Sequence, residues 1–257
     1  MALTFAAAVL FVPAFASAKV VTESVTYEHD GTKLEGYFAY DPELRGKRPG
    51  IMIVHDWLGL DDYPKMRARQ IAELGYVAFA VDIYGAGVRP KNSEEAGKEA
   101  GKYRADRALM RARAGAGLAR LKRHPKVDPA WTAAIGYCFG GGVVLELARS
   151  GADVTGVVSF HGNLDTPNPD DAKKMHAKVL VLHGADDPYV PAEQVKAFED
   201  EMRAAGVDWQ LVKYGDAVHA FTRVGAGTDK SKGAAYNERA DRRSWQAMRD
   251  FFGEIFK

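Results

Sequence analysis

Cysteine is almost missing from this chain: one residue, Cys138, stands among 257. A single thiol cannot form an intramolecular disulfide. An excess of one charge sign is missing too, because 35 Lys and Arg face 34 Asp and Glu and leave a net charge of +1. That balance gives no electrostatic reason to expect nucleic acid or an anionic membrane surface as a partner. No H-E-x-x-H helix and no Cys/His ligand cluster occurs, so no metal is implied, and no cofactor is expected. Disorder and low complexity are excluded by a 47% hydrophobic content with ordinary Gly (26) and Pro (11). A chain of this length buries a sizeable core.

The first apolar stretch, Leu3 to Phe15, ends in Ala16-Ser17-Ala18, a small-x-small cleavage pattern ahead of Lys19. It is too short for a comfortable membrane span. Residues 1–18 are therefore read as a secretory signal peptide, even though the usual positive n-region is missing. The protein is expected to be exported, periplasmic or secreted, with no stable membrane association after cleavage. A lone thiol is unusual in an oxidising compartment, which favours pairing cysteines or losing them. Cys138 calls for a chemical reason.

Val20 to Tyr27 and Lys33 to Tyr40 read as strands joined by His29-Asp30-Gly31, an N-terminal antiparallel hairpin. From Gly50 onward, short apolar runs alternate with amphipathic stretches of helix length, the pattern of a parallel sheet wrapped by helices. The strand candidates are Ile51–Val54, Val77–Val81, Ala133–Tyr137, Val154–Phe160, Val179–Leu182 and Trp209–Lys213. Helices are expected over Pro64–Leu74, Ser93–Arg123, Gly140–Arg149, Ala192–Ala205 and Asn237–Phe256. The basic residues of the second helix, among them Arg104, Arg107, Arg111, Arg113 and Lys122, read as a solvated face, since acidic residues elsewhere cancel their charge. With no linker and no repeat, residues 19–257 read as one domain. Two loops are long enough to suspect function, Gly162 to Ala177 and Thr222 to Ala235.

The chemistry concentrates at Gly136-Tyr137-Cys138-Phe139-Gly140, between an apolar strand and a helix. This is a G-x-C-x-G form of the nucleophile elbow, a sharp turn that lifts the reactive side chain above the sheet. Its glycines have a steric reason, because a Cβ at 136 or 140 would collide with neighbouring backbone. The helix N-terminus favours a thiolate, and the backbone N–H of Phe139 can receive a developing oxyanion. A dinucleotide-binding turn would need G-x-G-x-x-G in the first βα unit, and that spacing is absent. In this architecture the acid and then the histidine follow the nucleophile in the chain. Of the seven histidines, only His219 leaves room for an acid before it. His55, His161 and His183 fall at strand ends, where each could line a pocket or simply pack. For the acid, position alone leaves Asp186 and Asp187 both open.

These residues resemble the dienelactone hydrolase family of α/β-hydrolases. The likeness runs through His55-Asp56-Trp57-Leu58-Gly59-Leu60, Val81-Asp82-Ile83-Tyr84-Gly85, the cysteine elbow, Gly184-Ala185-Asp186-Asp187-Pro188-Tyr189-Val190-Pro191 and Val218-His219-Ala220-Phe221. The resemblance implies a mostly parallel α/β sheet with helices on both faces and a Cys138–Asp187–His219 triad. It further implies a second oxyanion donor in the Trp57 N–H and a thiol-controlling carboxylate at Asp56, where the family usually has the longer Glu. Arg223, four residues past His219, would bind a substrate carboxylate, with Arg104 or Arg107 as its partner. The expected reaction is cleavage of an ester or lactone through a covalent thioester, with an anionic substrate following from the Arg223 role. The rivals are a general carboxylesterase or thioesterase of the same fold, a non-catalytic binding protein that keeps the fold, and a thiol redox protein, which would want a second cysteine.

Overall fold

The computed structural model describes residues 19–257; the expected signal peptide, residues 1–18, lies outside the described residues. The hairpin forms from β1 (Val21–His29) and β2 (Thr32–Tyr40), turning through Asp30 and Gly31, both at positive φ. Then follow β3 (Arg48–Val54), α1 (Asp62–Glu73), β4 (Val77–Val81), α2 (Ser93–Ala105), α3 (Arg107–Lys122), β5 (Val127–Tyr137) and α4 (Phe139–Arg149). The chain closes with β6 (Gly156–Phe160), β7 (Lys178–Gly184), α5 (Ala192–Ala205), β8 (Trp209–Tyr214) and α6 (Glu238–Ile255). All eight strands join one sheet in the order β1-β2-β4-β3-β5-β6-β7-β8. Pairing is antiparallel from β1 through β2 to β4 and parallel from β4 onward.

The central strands are unbroken apolar runs because helices cover both of their faces; every residue of β4 and β6 is buried. On one face α1 and α6 pack Ile71, Met248 and Phe252 against Ile53, Ile135 and Leu182. On the other, α2 to α5 bring Tyr103, Met110, Val143 and Phe198 against Met52, Val81 and Val157. Asp61, Asn92 and Asn237 cap α1, α2 and α6 by accepting from backbone N–H groups that have no partner within the helix.

Two expectations need correction. The helix expected over Ser93–Arg123 is two helices broken at Asp106, which ends α2 and caps α3 by accepting from the Leu109 N–H. A short acid that bonds a backbone N–H three residues on favours a cap over a helix interior. Nor is the basic face merely solvated. Arg107 pairs with Asp165, Arg111 bridges Glu146 and Asp171, Lys122 reaches Asp153, and Arg113 is buried. Glu146 also binds the fully buried Arg149, whose guanidinium meets Glu201 of α5 at 2.7 Å, so charge pairs knit α3, α4 and α5 together.

Register decides what meets at the carboxyl ends of the strands. Val54 of β3 lies beside Gly136 of β5, Tyr137 beside Phe160 of β6, and Leu182 of β7 beside Phe160 and Val212. The segments leaving β3, β5, β6, β7 and β8 therefore emerge on one edge, the edge where open α/β sheets place their sites.

Candidate active site

Cys138 sits between β5 and α4 at φ 53°, ψ −115°, a conformation costly for any residue with a Cβ. Close backbone contacts hold it there. The Cys138 N–H donates to the Phe160 carbonyl at 3.0 Å, and the Cys138 carbonyl accepts from Gly141 at 2.9 Å. A Cβ on Gly136 would stand 2.0 Å from the Gly140 carbonyl oxygen, and one on Gly140 only 2.4 Å from that of Val54. Both separations are far inside contact, so the two glycines expected from the motif are sterically required.

The strand ends bring three of the expected residues into line. His219 Nε2 is 3.0 Å from Cys138 Sγ, and His219 Nδ1 is 2.8 Å from Asp187 Oδ2. An ionised carboxylate only accepts, so Nδ1 carries hydrogen and Nε2 is the atom that exchanges a proton with sulfur. Asp187 is buried, and its other oxygen accepts from the Tyr189 N–H at 2.9 Å. Asp186 is exposed, so the choice that position in the chain left open is resolved by geometry in favour of Asp187 as the partner of His219. The histidine's backbone is strapped by Gly233 and Ala235, part of one of the long loops. Burial works against a charge on His219, but its electrostatic and hydrogen-bond interactions with Cys138 and Asp187 outweigh it and raise its pKa to about 10.

The expected oxyanion donors, Phe139 and Trp57, lie on the two segments next to Cys138. Phe139 opens α4, where its N–H has no carbonyl one helical turn earlier to bind. Among the described residues the Trp57 N–H donates to no protein acceptor, and Trp57 lines the same cavity as Cys138. The tight approach of Gly140 to Val54 and His55 brings the two segments side by side.

Asp56 and Arg223 are placed otherwise than the resemblance implies. Asp56 Oδ1 accepts from Leu58 N–H at 2.8 Å, and its Oδ2 meets Arg223 at 2.5 Å; the sulfur's hydrogen-bond partner among the described residues is His219. Burial raises the Asp56 carboxyl pKa, and Arg223 opposes that rise. The second arm of Arg223 binds Asp61 at 2.7 Å, and its guanidinium lies over the Tyr63 ring. Two carboxylates thus occupy the fork expected to meet substrate. Arg107 is likewise taken by Asp165, whereas among the described residues the side-chain partner of Arg104 is the neutral amide oxygen of Asn163 at 2.7 Å.

The cavity in front of the sulfur has a volume of about 720 Å³, is framed by both long loops, and has Arg104, Asn163, His161 and Tyr189 in its wall. His161 Nε2 meets Thr222 Oγ1 at 2.7 Å, its ring edge faces His219, and burial drives its pKa well down, so it stays neutral. His183 is buried outside this cavity. Sequence reasoning missed Asp61, Tyr63, Thr222 and Asn163. The signal for Asp61 was its place as a helix cap; the others are defined by approach of distant loops and leave no local pattern.

The sequence profile described as the dienelactone hydrolase family matches residues 34–256. A dienelactone hydrolase-like promiscuous phosphotriesterase from metagenomic libraries is 42% identical, with a TM-score of 0.88 over 92% of this chain and 98% of that one. A provisionally named carboxymethylenebutenolidase of Yersinia pestis is 25% identical over 88% of this chain and 86% of its own. A dienelactone hydrolase from Anabaena variabilis, at 20% identity and a TM-score of 0.65 over 90% of this chain and 98% of that one, shares the fold.

The raised pKa of His219 gives a direct test by NMR titration of its imidazole. Protonation should persist to about pH 10, and Cys138→Ala should lower that midpoint by removing the sulfur's charge. A folded-state pKa above the ordinary 6.5 stabilises the protein fully below pH 6.5, and that contribution is lost as pH rises through about 10. A wild-type midpoint near 6.5, or one indifferent to Cys138, would contradict the pairing.

Proposed function

The chain belongs to the dienelactone hydrolase family, and from that premise we propose that it is a hydrolase that opens ester or lactone bonds through a covalent thioester on Cys138. The observation that carries this reading is the line of sulfur, imidazole and carboxylate at 3.0 and 2.8 Å, held at a strained elbow facing a cavity. A binding protein would have no use for that strain or for the aligned proton path.

The chemistry follows from the contacts. His219 holds the proton given up by sulfur, and the sulfur attacks the acyl carbon to form a C–S bond. The carbonyl electrons move onto oxygen, which the N–H groups of Phe139 and Trp57 stabilise. As the oxyanion collapses the C–O bond breaks, and the His219 imidazolium protonates the departing oxygen. In a lactone that oxygen stays attached to the acyl chain. His219 then takes a proton from water as the water oxygen adds to the thioester, and the C–S bond breaks to return the sulfur. Asp187 fixes the tautomer throughout and stabilises the imidazolium. A small ester or lactone is the fitting substrate class for a cavity of this size, and an exported, periplasmic or secreted enzyme is proposed on the residues 1–18 pattern alone.

An anionic acyl group, if bound, is drawn to Arg104, since Arg223 already has two carboxylates. The test is hydrolysis of a neutral aryl ester and an acidic lactone of similar size. Cys138→Ala should lower kcat/KM on both by at least about a thousandfold, the scale for loss of a nucleophile. Arg104→Ala should slow only the acidic lactone, by roughly tenfold, a charge-assisted hydrogen bond. Folded Cys138→Ala retaining a tenth of the activity or more (~10%) would overturn the thioester reading, because a nucleophile contributes several powers of ten.

A further inference from the structure

His55 is fully buried, one residue past β3, and the mechanism above gives it no task. Its two ring nitrogens have opposite, unambiguous partners. The Ile83 backbone N–H donates to Nε2 at 3.1 Å, and the Asp56 carbonyl lies 2.6 Å from Nδ1. A backbone N–H can only donate and a carbonyl can only accept, so the ring is neutral with hydrogen on Nδ1. Burial, which depresses its pKa, acts in the same direction. The ring is also boxed in by Tyr84 and Phe139, at centroid distances of 4.7 and 5.9 Å.

The carbonyl that His55 holds belongs to the same peptide group as the Trp57 N–H. In a trans peptide the C=O and N–H point to opposite sides of one rigid plane. The Gly59 N–H also donates to this carbonyl, at the longer 3.3 Å, so the 2.6 Å contact with His55 is its shorter hold, and fixing the oxygen fixes the direction in which the Trp57 N–H projects. The next peptide is fastened as well, because the Tyr84 hydroxyl donates to the Trp57 carbonyl at 3.2 Å.

We propose that His55 is a positioning residue for acyl cleavage, its Nδ1–H gripping the Asp56 carbonyl so that the Trp57 N–H is aimed at the developing oxyanion. This rests on the thioester reading and on Trp57 as an oxyanion donor. Preorganised donors act because no energy goes into orienting them during reaction, and misplacement by about 1 Å costs up to about a hundredfold.

The two nitrogens can be separated by substitution. The amide nitrogen of Asn sits where Nδ1 does, one atom beyond Cγ, whereas a Gln amide reaches the place of Nε2. His55→Asn keeps the donor to Asp56 and loses the acceptor for Ile83; His55→Gln does the reverse. On folded protein, His55→Gln should lower kcat for an aryl ester roughly 10- to 100-fold. Its KM should stay within about threefold and its rate of Cys138 alkylation by iodoacetamide within about twofold, since alkylation makes no oxyanion. His55→Asn should stay within about fivefold of wild-type kcat. Should the Gln variant not fold, His55→Leu, which lacks both groups, takes its place with the same expected loss.

Equal losses in the Asn and Gln variants would reduce His55 to a core residue and overturn the proposal. Alkylation falling in step with kcat would overturn it too, by locating the damage at the sulfur and imidazole. Failure of the underlying reading looks different: Cys138→Ala would itself retain hydrolysis, whatever the His55 variants do.

Discussion

The close backbone contact at the elbow is the constraint on which the site depends. The first turn of α4 presses against the end of β3 so tightly that Gly140 leaves 2.4 Å between an added Cβ and the Val54 carbonyl oxygen. That approach puts Cys138 into its left-handed conformation, turns the sulfur toward His219, and lays the 55–59 segment beside the helix N-terminus. The strain at Cys138 persists because two backbone hydrogen bonds and the sheet register fix the residues on either side.

Around the sulfur, charge is balanced locally. Arg223 joins Asp56 and Asp61 of the β3–α1 segment to the loop that follows His219. The pair of carboxylates leaves that cluster with a net negative charge when both are ionised. Arg223 therefore serves as a strap between the β3–α1 segment and the loop that follows His219. Asp56 is turned to this strap, and the sulfur's hydrogen-bond partner among the described residues is His219.

Much of this was legible in the sequence, for identifiable reasons. The mostly parallel α/β sheet showed itself because doubly covered strands must be continuous apolar runs. The elbow was legible because the G-x-C-x-G spacing is itself a local pattern, although Gly140 is required by contact with the distant Val54 and His55, and Cys138 and His219 were legible by their order in the chain. The break at Asp106 was missed because helix periodicity continues across it and only the capping bond reveals it. The partners of Arg223 were missed because 167 and 162 residues separate it from Asp56 and Asp61, so the pairing exists only after β3 and β8 enter the same sheet. The pairing partners of the basic residues on α3 were hidden for the same reason: Glu146, Asp153 and Asp171 approach them from other elements.

The central claim is that the acyl group passes through sulfur, and trapping the intermediate tests it most directly. Protein mixed with a slowly hydrolysed ester is acid-quenched, weighed intact and mapped by peptide mass. The account predicts a gain equal to the acyl group, confined to the peptide containing Cys138 and removed by neutral hydroxylamine, as a thioester is. An acyl group on any other residue, or steady turnover with no mass gain even when deacylation is slowed by substrate choice, would contradict it.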